Sequence, residues 1–235
     1  MKAMGQYLYT EDRFDRNSYD IVIAITRLEI CEWPIVRNKN TNCVALRGIS
    51  KFGSACAWSD TDKAVEAIAL VHDEGFNGIA TAAHELGHIL GVPHDGSPSA
   101  SYVGGPGALK CNWGDGYLMS SNRFSENAFK WSNCSAECFK FFLQQPSAKC
   151  LYNKPKPGTT LPKILPGRLL SLDEQCIEAG ALDACYHDYQ ACVLLYCTKK
   201  DRLNECFATA PAAEGSTCGD GKICIKGECV KDLQL

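Results

Sequence analysis

Three histidines with a fixed spacing constrain this chain more than any other feature. They occur in residues 84–95, which read HELGHILGVPHD. On an α-helix His84 and His88 lie one turn apart on the same face, so both imidazoles can reach a single metal ion. Gly91 tolerates a backbone conformation that other residues avoid, which lets the chain turn and bring back His94 as a third ligand. The spacing therefore predicts a helix, a sharp turn and one zinc ion.

The motif leaves the fourth coordination position of the zinc open for water, which is typical of catalytic rather than structural zinc sites. Zinc in such a site lowers the pKa of its water from about 16 to about 7. Glu85 is the predicted general base, because its carboxylate can take a proton from this water and later pass it to the leaving amine. A purely structural zinc site is an alternative, although the motif offers no fourth protein ligand.

The 15 cysteines among 235 residues indicate an oxidising, extracellular compartment, because thiols at this density persist as disulfides only there. The net charge is −3 and the basic residues are scattered, so we expect no nucleic-acid partner. The longest strongly apolar run, residues 21–25, is far shorter than the roughly 20 residues of a membrane-spanning helix. The first residues, before the acidic ones begin, include no apolar stretch of the length that a signal peptide needs. We therefore expect a secreted protein whose export signal lies upstream, or an excised form.

Hydrophobic patterns predict a mixed α/β domain around the motif. The β-branched, apolar run at 18–30 predicts a central strand buried on both faces. Residues 44–58 suit an edge strand or hairpin, and 65–71 a further strand. The motif helix is predicted to run from an N-cap at Asn77 to Leu90, and a second helix to cover 135–144.

A change of composition predicts a domain boundary near the middle of the chain. Residues 153–167 are rich in proline and lysine without sustained periodicity, as in a linker. Beyond them, eight cysteines crowd into 176–229, a density that predicts a small module held together by disulfides. The predicted organisation is a catalytic domain at 1–152, a linker at 153–167 and a cysteine-rich module at 168–235.

The zinc motif resembles the extended signature of the metzincin metalloproteases. The aspartate directly after the third histidine, Asp95, resembles the mark of the reprolysin branch, which includes snake-venom metalloproteinases and ADAM proteases. This resemblance implies a twisted mixed sheet with a zinc-binding helix. Residues 117–120, YLMS, resemble the methionine turn of metzincins, which would place Met119 beneath the zinc site. The alternative for Met119 is an ordinary core methionine.

The resemblance extends over most of the chain. Residues 131–151 resemble the last helix and closing cysteine of a reprolysin domain. The segments LPGRLLSLDEQC and CGDGKICIKGECV are similar to the disintegrin-like and cysteine-rich region of ADAM proteases with thrombospondin repeats, and to secreted metalloproteases of tick saliva. The resemblance implies a metalloendopeptidase that acts on matrix or plasma proteins.

The same resemblance implies two further features of the site. The substrate peptide would lie extended along an edge strand, for which residues 46–54 stand in the corresponding place. A calcium ion would bind near the end of the domain, where Asp20, Cys150 and Asn153 hold comparable positions.

The sequence departs from the family pattern in the length of the segment before the zinc motif. The resemblance implies a longer segment before residue 84 than this chain has, so we expect that sequence is missing upstream. Seven cysteines lie at or before Cys150 and eight after it, so one in the first part lacks a partner within its domain. The competing function is that of an inactive protein which binds matrix or cell surfaces through its cysteine-rich module. The intact Glu85 argues against it.

Overall fold

The computed structural model describes residues 1–32, 44–154 and 158–233. They form two compact units, one of residues 1–72, 81–113 and 131–156, the other of residues 73–80, 114–130 and 157–235. The described helices are α1 (Lys2–Thr10), α2 (Ile79–Ile89), α3 (Asn133–Leu143) and α4 (Leu172–Glu178). The described strands are β1 (Val22–Thr26), β2 (Ile30–Glu32), β3 (Val44–Leu46), β4 (Gly48–Ser50), β5 (Trp58–Ser59), β6 (Ala64–Val65), β7 (Ile68–His72), β8 (Tyr196–Thr198), β9 (Cys206–Ala208), β10 (Thr217–Gly219), β11 (Lys222–Ile225) and β12 (Glu228–Lys231). None of the helices in these ranges is long and apolar enough to cross a membrane.

A three-stranded sheet in the order β1-β7-β4 organises the first unit. The central strand β7 runs parallel to β1 and antiparallel to β4. Ala69 of β7 is fully buried and packs in one apolar cluster with Ile89 of α2 and Phe142 of α3. Two further antiparallel pairs lie among the described residues, β2 with β3 and β5 with β6. The mixed sheet beside the motif helix confirms the predicted fold class.

The sequence interpretation was wrong about which strand is central. Residues 18–30 contain β1, but β1 is the outermost strand of the described sheet, and Ile23 and Ile25 are 37% and 69% exposed. The central place belongs to β7, whose residues are mostly buried. A β-branched run favours extended backbone, whereas burial depends on what packs against each face. The pattern at 18–30 therefore identified a strand but not its neighbours.

The helix carrying the motif begins later than predicted. It starts at Ile79, so the residue directly before its first helical residue is Gly78 rather than Asn77. The Asn77 side-chain carbonyl accepts a hydrogen bond from the backbone N–H of Glu74 instead. Asparagine stabilises turns as readily as helix ends by bonding to nearby backbone. The second predicted helix, at 135–144, corresponds to α3 and starts two residues earlier than expected, after the N-cap Ser132.

Four disulfides hold the second unit together. They join Cys176 to Cys197, Cys185 to Cys206, Cys192 to Cys224 and Cys218 to Cys229. Most of these sulfurs are buried in one cluster with Leu172 of α4 and Leu195. Small secreted modules bury a limited apolar surface and gain much of their stability from such cross-links. The helix α4 begins with a capping box in which Ser171 and Glu174 bond to each other's backbone. The disulfide-rich module is thereby confirmed.

One cysteine of the first unit is free among the residues that the structure describes. Disulfides join Cys56 to Cys150 and Cys111 to Cys134. Cys138 of α3 remains a buried thiol, and it lies in the part of the chain where an unpaired cysteine was expected. Burial raises the pKa of the Cys138 thiol, which disfavours the reactive thiolate.

Alkylation of the non-reduced chain should identify Cys138 as the free thiol. After denaturation, iodoacetamide should modify Cys138, whereas in the folded chain the reaction should be slowed by at least about tenfold, because the thiol is buried and protonated. Peptide mapping by mass spectrometry with and without denaturant measures both. A label on any cysteine of the second unit would contradict the pairing described above.

Candidate metal centre

The helix α2 provides two of the predicted metal ligands. His84 and His88 lie one turn apart, with ring centroids 4.7 Å apart in an edge-to-face arrangement. His84 and Glu85 are buried, and Ile89 at the end of the helix packs into the core beside β7. This packing presents both imidazoles on one face of a fixed helix.

A glycine turn brings the third histidine back to this face. Gly91 has φ +79°, a left-handed conformation that only glycine adopts at low cost. The Gly91 N–H donates to the His88 carbonyl and the Val92 N–H to the Gly87 carbonyl, both at 2.9 Å. These two bonds form a Schellman motif, which ends the helix and reverses the chain. The role that spacing predicted for Gly91 is therefore visible in the backbone.

The three imidazoles converge through their Nε2 atoms. His94 Nε2 lies 3.1 Å from both His84 Nε2 and His88 Nε2, and the ligand atoms of all three lie within 4.8 Å of one another. Zinc–nitrogen bonds of 2.0–2.1 Å in a tetrahedral site would separate the nitrogens by about 3.3 Å. A single proton can be shared by only two of these nitrogens, whereas a metal ion can accept a lone pair from each of the three. The donor set therefore fits zinc.

Hydrogen bonding orients His88 for this arrangement. Its Nδ1 lies 2.9 Å from the Val92 carbonyl oxygen; because a carbonyl only accepts, Nδ1 carries the proton and Nε2 a lone pair. Burial is the main cause that lowers the pKa of His88 to about 4. The neighbouring His94 also lowers this pKa, whereas the hydrogen bond to the Val92 carbonyl raises it. His88 is thus neutral at physiological pH, as a metal ligand must be.

Glu85, the predicted general base, is contacted by strand β4. The Ser50 hydroxyl donates to Glu85 Oε2 at 2.5 Å and lies 3.2 Å from the Glu85 backbone carbonyl. A Cβ at Gly48 would come within 2.7 Å of Glu85 Oε1, so this glycine lets the strand approach the carboxylate closely. No local pattern in the sequence marks Ser50, because its contact with Glu85 spans 35 positions.

The residue after the third histidine is tied to α3. Asp95 is almost completely buried, and its Oδ1 accepts a hydrogen bond from the Ser132 hydroxyl at 2.6 Å. Ser132 is the N-cap of α3, and its hydroxyl oxygen also accepts from the Ser135 N–H. Trp113 packs edge-on against His94, with ring centroids 5.4 Å apart. No pattern in the sequence marked Ser132 or Trp113, because both act through contacts with residues far away in the chain.

The remaining predicted site residues have the following surroundings. Met119 is fully buried in a turn closed by the hydrogen bond from the Ser120 N–H to the Tyr117 carbonyl; a place beneath the zinc stays a prediction. Asp20, Cys150 and Asn153 line one open cleft, and calcium binding there likewise stays a prediction.

Comparison with known protein families gives two matches. Residues 35–155 match the reprolysin (M12B) family of zinc metalloproteases, and residues 166–230 match the ADAMTS cysteine-rich domain 2.

Several curated proteins are similar to the chain over nearly its whole length. A Bombyx mori protein named "A disintegrin and metalloproteinase with thrombospondin motifs like" is 46% identical over 233 residues, which cover 97% of this chain and 32% of that protein. The mouse protein "A disintegrin and metalloproteinase with thrombospondin motifs 15" is 33% identical over 219 residues, or 91% of this chain and 21% of that protein. The mouse protein "A disintegrin and metalloproteinase with thrombospondin motifs 1" is 31% identical over 226 residues, which cover 94% of this chain and 21% of that protein. The chain thus spans about a third or less of the length of these relatives.

Replacing the turn glycine should weaken metal binding. In Gly91→Ala the added Cβ would meet the Phe142 ring at 2.8 Å, in addition to the strain of a positive φ. We expect a loss of roughly 2–4 kcal/mol in unfolding free energy and at least about tenfold weaker zinc affinity, because His94 must shift. Denaturant unfolding and zinc titration measure the two effects.

Gly180→Ala is the matched control for this substitution. Gly180 has φ +84° and no atom within 4 Å of its added Cβ, so the control isolates backbone strain, which we expect to cost about 1 kcal/mol. Equal destabilisation of the two variants, with zinc affinity unchanged in Gly91→Ala, would contradict the role given to the turn.

Proposed function

The chain belongs to the reprolysin (M12B) family of zinc metalloproteases, and on that premise we propose that it is a zinc-dependent endopeptidase which cleaves peptide bonds in extracellular proteins. The observation that carries this proposal is the convergence of three imidazole Nε2 atoms beside a buried glutamate, Glu85, which directly follows the first of these histidines. A hydrolytic site needs both a Lewis acid and a base held in place.

The three histidines have the role of metal ligands in this proposal. His84, His88 and His94 would hold the zinc ion through Nε2, and the bond from His88 Nδ1 to Val92 keeps one of these nitrogens free of its proton. Zinc in such a site supplies Lewis-acid activation of water and of the substrate carbonyl. The buried helix and the glycine turn keep the ligands in place before the substrate arrives.

Glu85 has the role of general base and then general acid. Its carboxylate accepts a proton from the attacking water as the new C–O bond forms at the scissile carbonyl. It then donates that proton to the nitrogen of the leaving amine as the C–N bond breaks. The carboxylate is buried, which shields the transferred proton from bulk water.

The strand β4 is suited to hold an extended peptide. It pairs with β7 through Gly48–Ser50 and is the last strand in the described order β1-β7-β4. An outer strand can add a peptide as a further strand through backbone hydrogen bonds. Because β4 also contacts Glu85, a peptide on its outer edge would run past the general base.

Disulfide content supports an extracellular location. Six disulfides have both cysteines in the described ranges, and such cross-links form in secreted proteins. Matrix or plasma proteins are therefore the proposed substrates. A purely binding role for the cysteine-rich module is not favoured, because the base and all three histidines are retained together.

Removing the base should abolish hydrolysis while leaving the metal site intact. For Glu85→Ala we expect kcat against a quenched peptide to fall by about 10²- to 10⁴-fold, with zinc still bound. A chelator should abolish cleavage by the unaltered chain, and added zinc should restore it.

Glu137→Ala is the control variant. Glu137 forms an exposed ion pair with Lys110, a contact that contributes little to stability, so activity should stay within about twofold. Cleavage that survives both the chelator and Glu85→Ala would contradict the proposed mechanism. So would a folded, zinc-loaded chain that cleaves no peptide or denatured protein.

A further inference from the structure

A serine outside the zinc motif contacts the general base directly. Ser50 is half-buried in β4, and its hydroxyl donates to Glu85 Oε2 at 2.5 Å. A hydroxyl that donates to a carboxylate makes one of the stronger side-chain hydrogen bonds, because the acceptor is charged. The contact involves one carboxylate oxygen, Oε2.

The geometry of the strand explains why Ser50 reaches Glu85. Side chains two residues apart on a strand point to the same face, so Gly48 and Ser50 both face α2. At Gly48 an added Cβ would meet Glu85 Oε1 and the Thr81 methyl group, both at 2.7 Å. Gly48 therefore lets β4 approach α2 closely. Ser50, the next residue on the same face of the strand, supplies the hydrogen bond to Glu85.

We propose that Ser50 is a positioning residue for the general base, an inference that rests on the proposed hydrolytic function. A glutamate side chain has three rotatable bonds and loses considerable conformational entropy when it is held in one rotamer. A proton acceptor works well only when it is held within about 0.5 Å of its productive position. The Ser50 hydroxyl holds Glu85 Oε2 in place and thereby limits the positions that Glu85 Oε1 can take.

This role affects kcat rather than substrate binding. The Ser50 side chain faces α2, whereas the peptide would pair with the backbone on the outer edge of β4. Removing the hydroxyl therefore leaves the proposed substrate contacts in place. Variants at Ser50 can therefore separate the two roles. A fall in kcat indicates positioning of the base, whereas a rise in KM indicates a contact with the substrate.

Two substitutions at this position test the proposal in the zinc-loaded chain. Ser50→Ala removes the hydroxyl, and we expect kcat to fall about tenfold with KM within about twofold of its original value. Ser50→Thr keeps the hydroxyl on a side chain that strands accept readily, and we expect it to restore kcat to within about threefold. In crystals, Glu85 should occupy one rotamer in the unaltered chain and in Ser50→Thr, but more than one in Ser50→Ala.

Ser59→Ala controls for the loss of a hydrogen-bonded hydroxyl elsewhere. Ser59 is half-buried in β5 and bonds only locally, to the backbone and side chain of Asp62, so kcat should not change. The proposal is overturned if Ser50→Ala matches the unaltered chain or Ser59→Ala in kcat, or if Ser50→Thr loses as much as Ser50→Ala. Should the unaltered chain and Glu85→Ala both fail to cleave peptides, the hydrolytic function fails, while the Glu85 rotamers still test the contact itself.

Discussion

The proposed function of the first unit depends on three imidazoles that are held with their Nε2 atoms close together. His94 Nε2 lies 3.1 Å from each of the other two, a spacing that directs three lone pairs at one point and favours a shared cation. Burial keeps His88 neutral by lowering its pKa to about 4. Desolvation opposes protonation of His88 while leaving its lone pair available, which is the state in which an imidazole binds a metal ion.

The surrounding fold keeps this arrangement rigid at several points. Ile89 and Phe142 place α2 and α3 in one core with Ala69 of β7. Gly91 turns the chain against the Phe142 ring, and Ser132 links the residue after the third ligand to the start of α3. Ser50 and Gly48 bring β4 against Glu85, the proposed general base. The proposed ligands, the proposed base and the outer strand are thus held mainly by helices and strands, which position a site more accurately than loops do.

Local features of the site could be predicted from the sequence, whereas its tertiary contacts could not. The spacing of His84 and His88 and the turn at Gly91 follow from helix geometry, which acts over a few residues. Ser50 and Ser132 lie 35 and 37 positions from their partners, so only folding brings them together. The strand at 18–30 was recognised from its β-branched residues but misplaced in the sheet, because composition does not specify neighbours. In the second unit, cysteine density predicted a disulfide module, although spacing could not specify which cysteines pair.

We expect His84, His88 and His94 to bind one zinc ion and to leave one coordination position open for water. X-ray absorption at the zinc edge of the folded chain, loaded with one equivalent of the metal, tests this most directly. We expect about four nitrogen or oxygen donors at roughly 2.0 Å, with the outer-shell scattering of three imidazole rings. Sulfur in the coordination shell, or scattering from fewer than three imidazoles, would contradict the account.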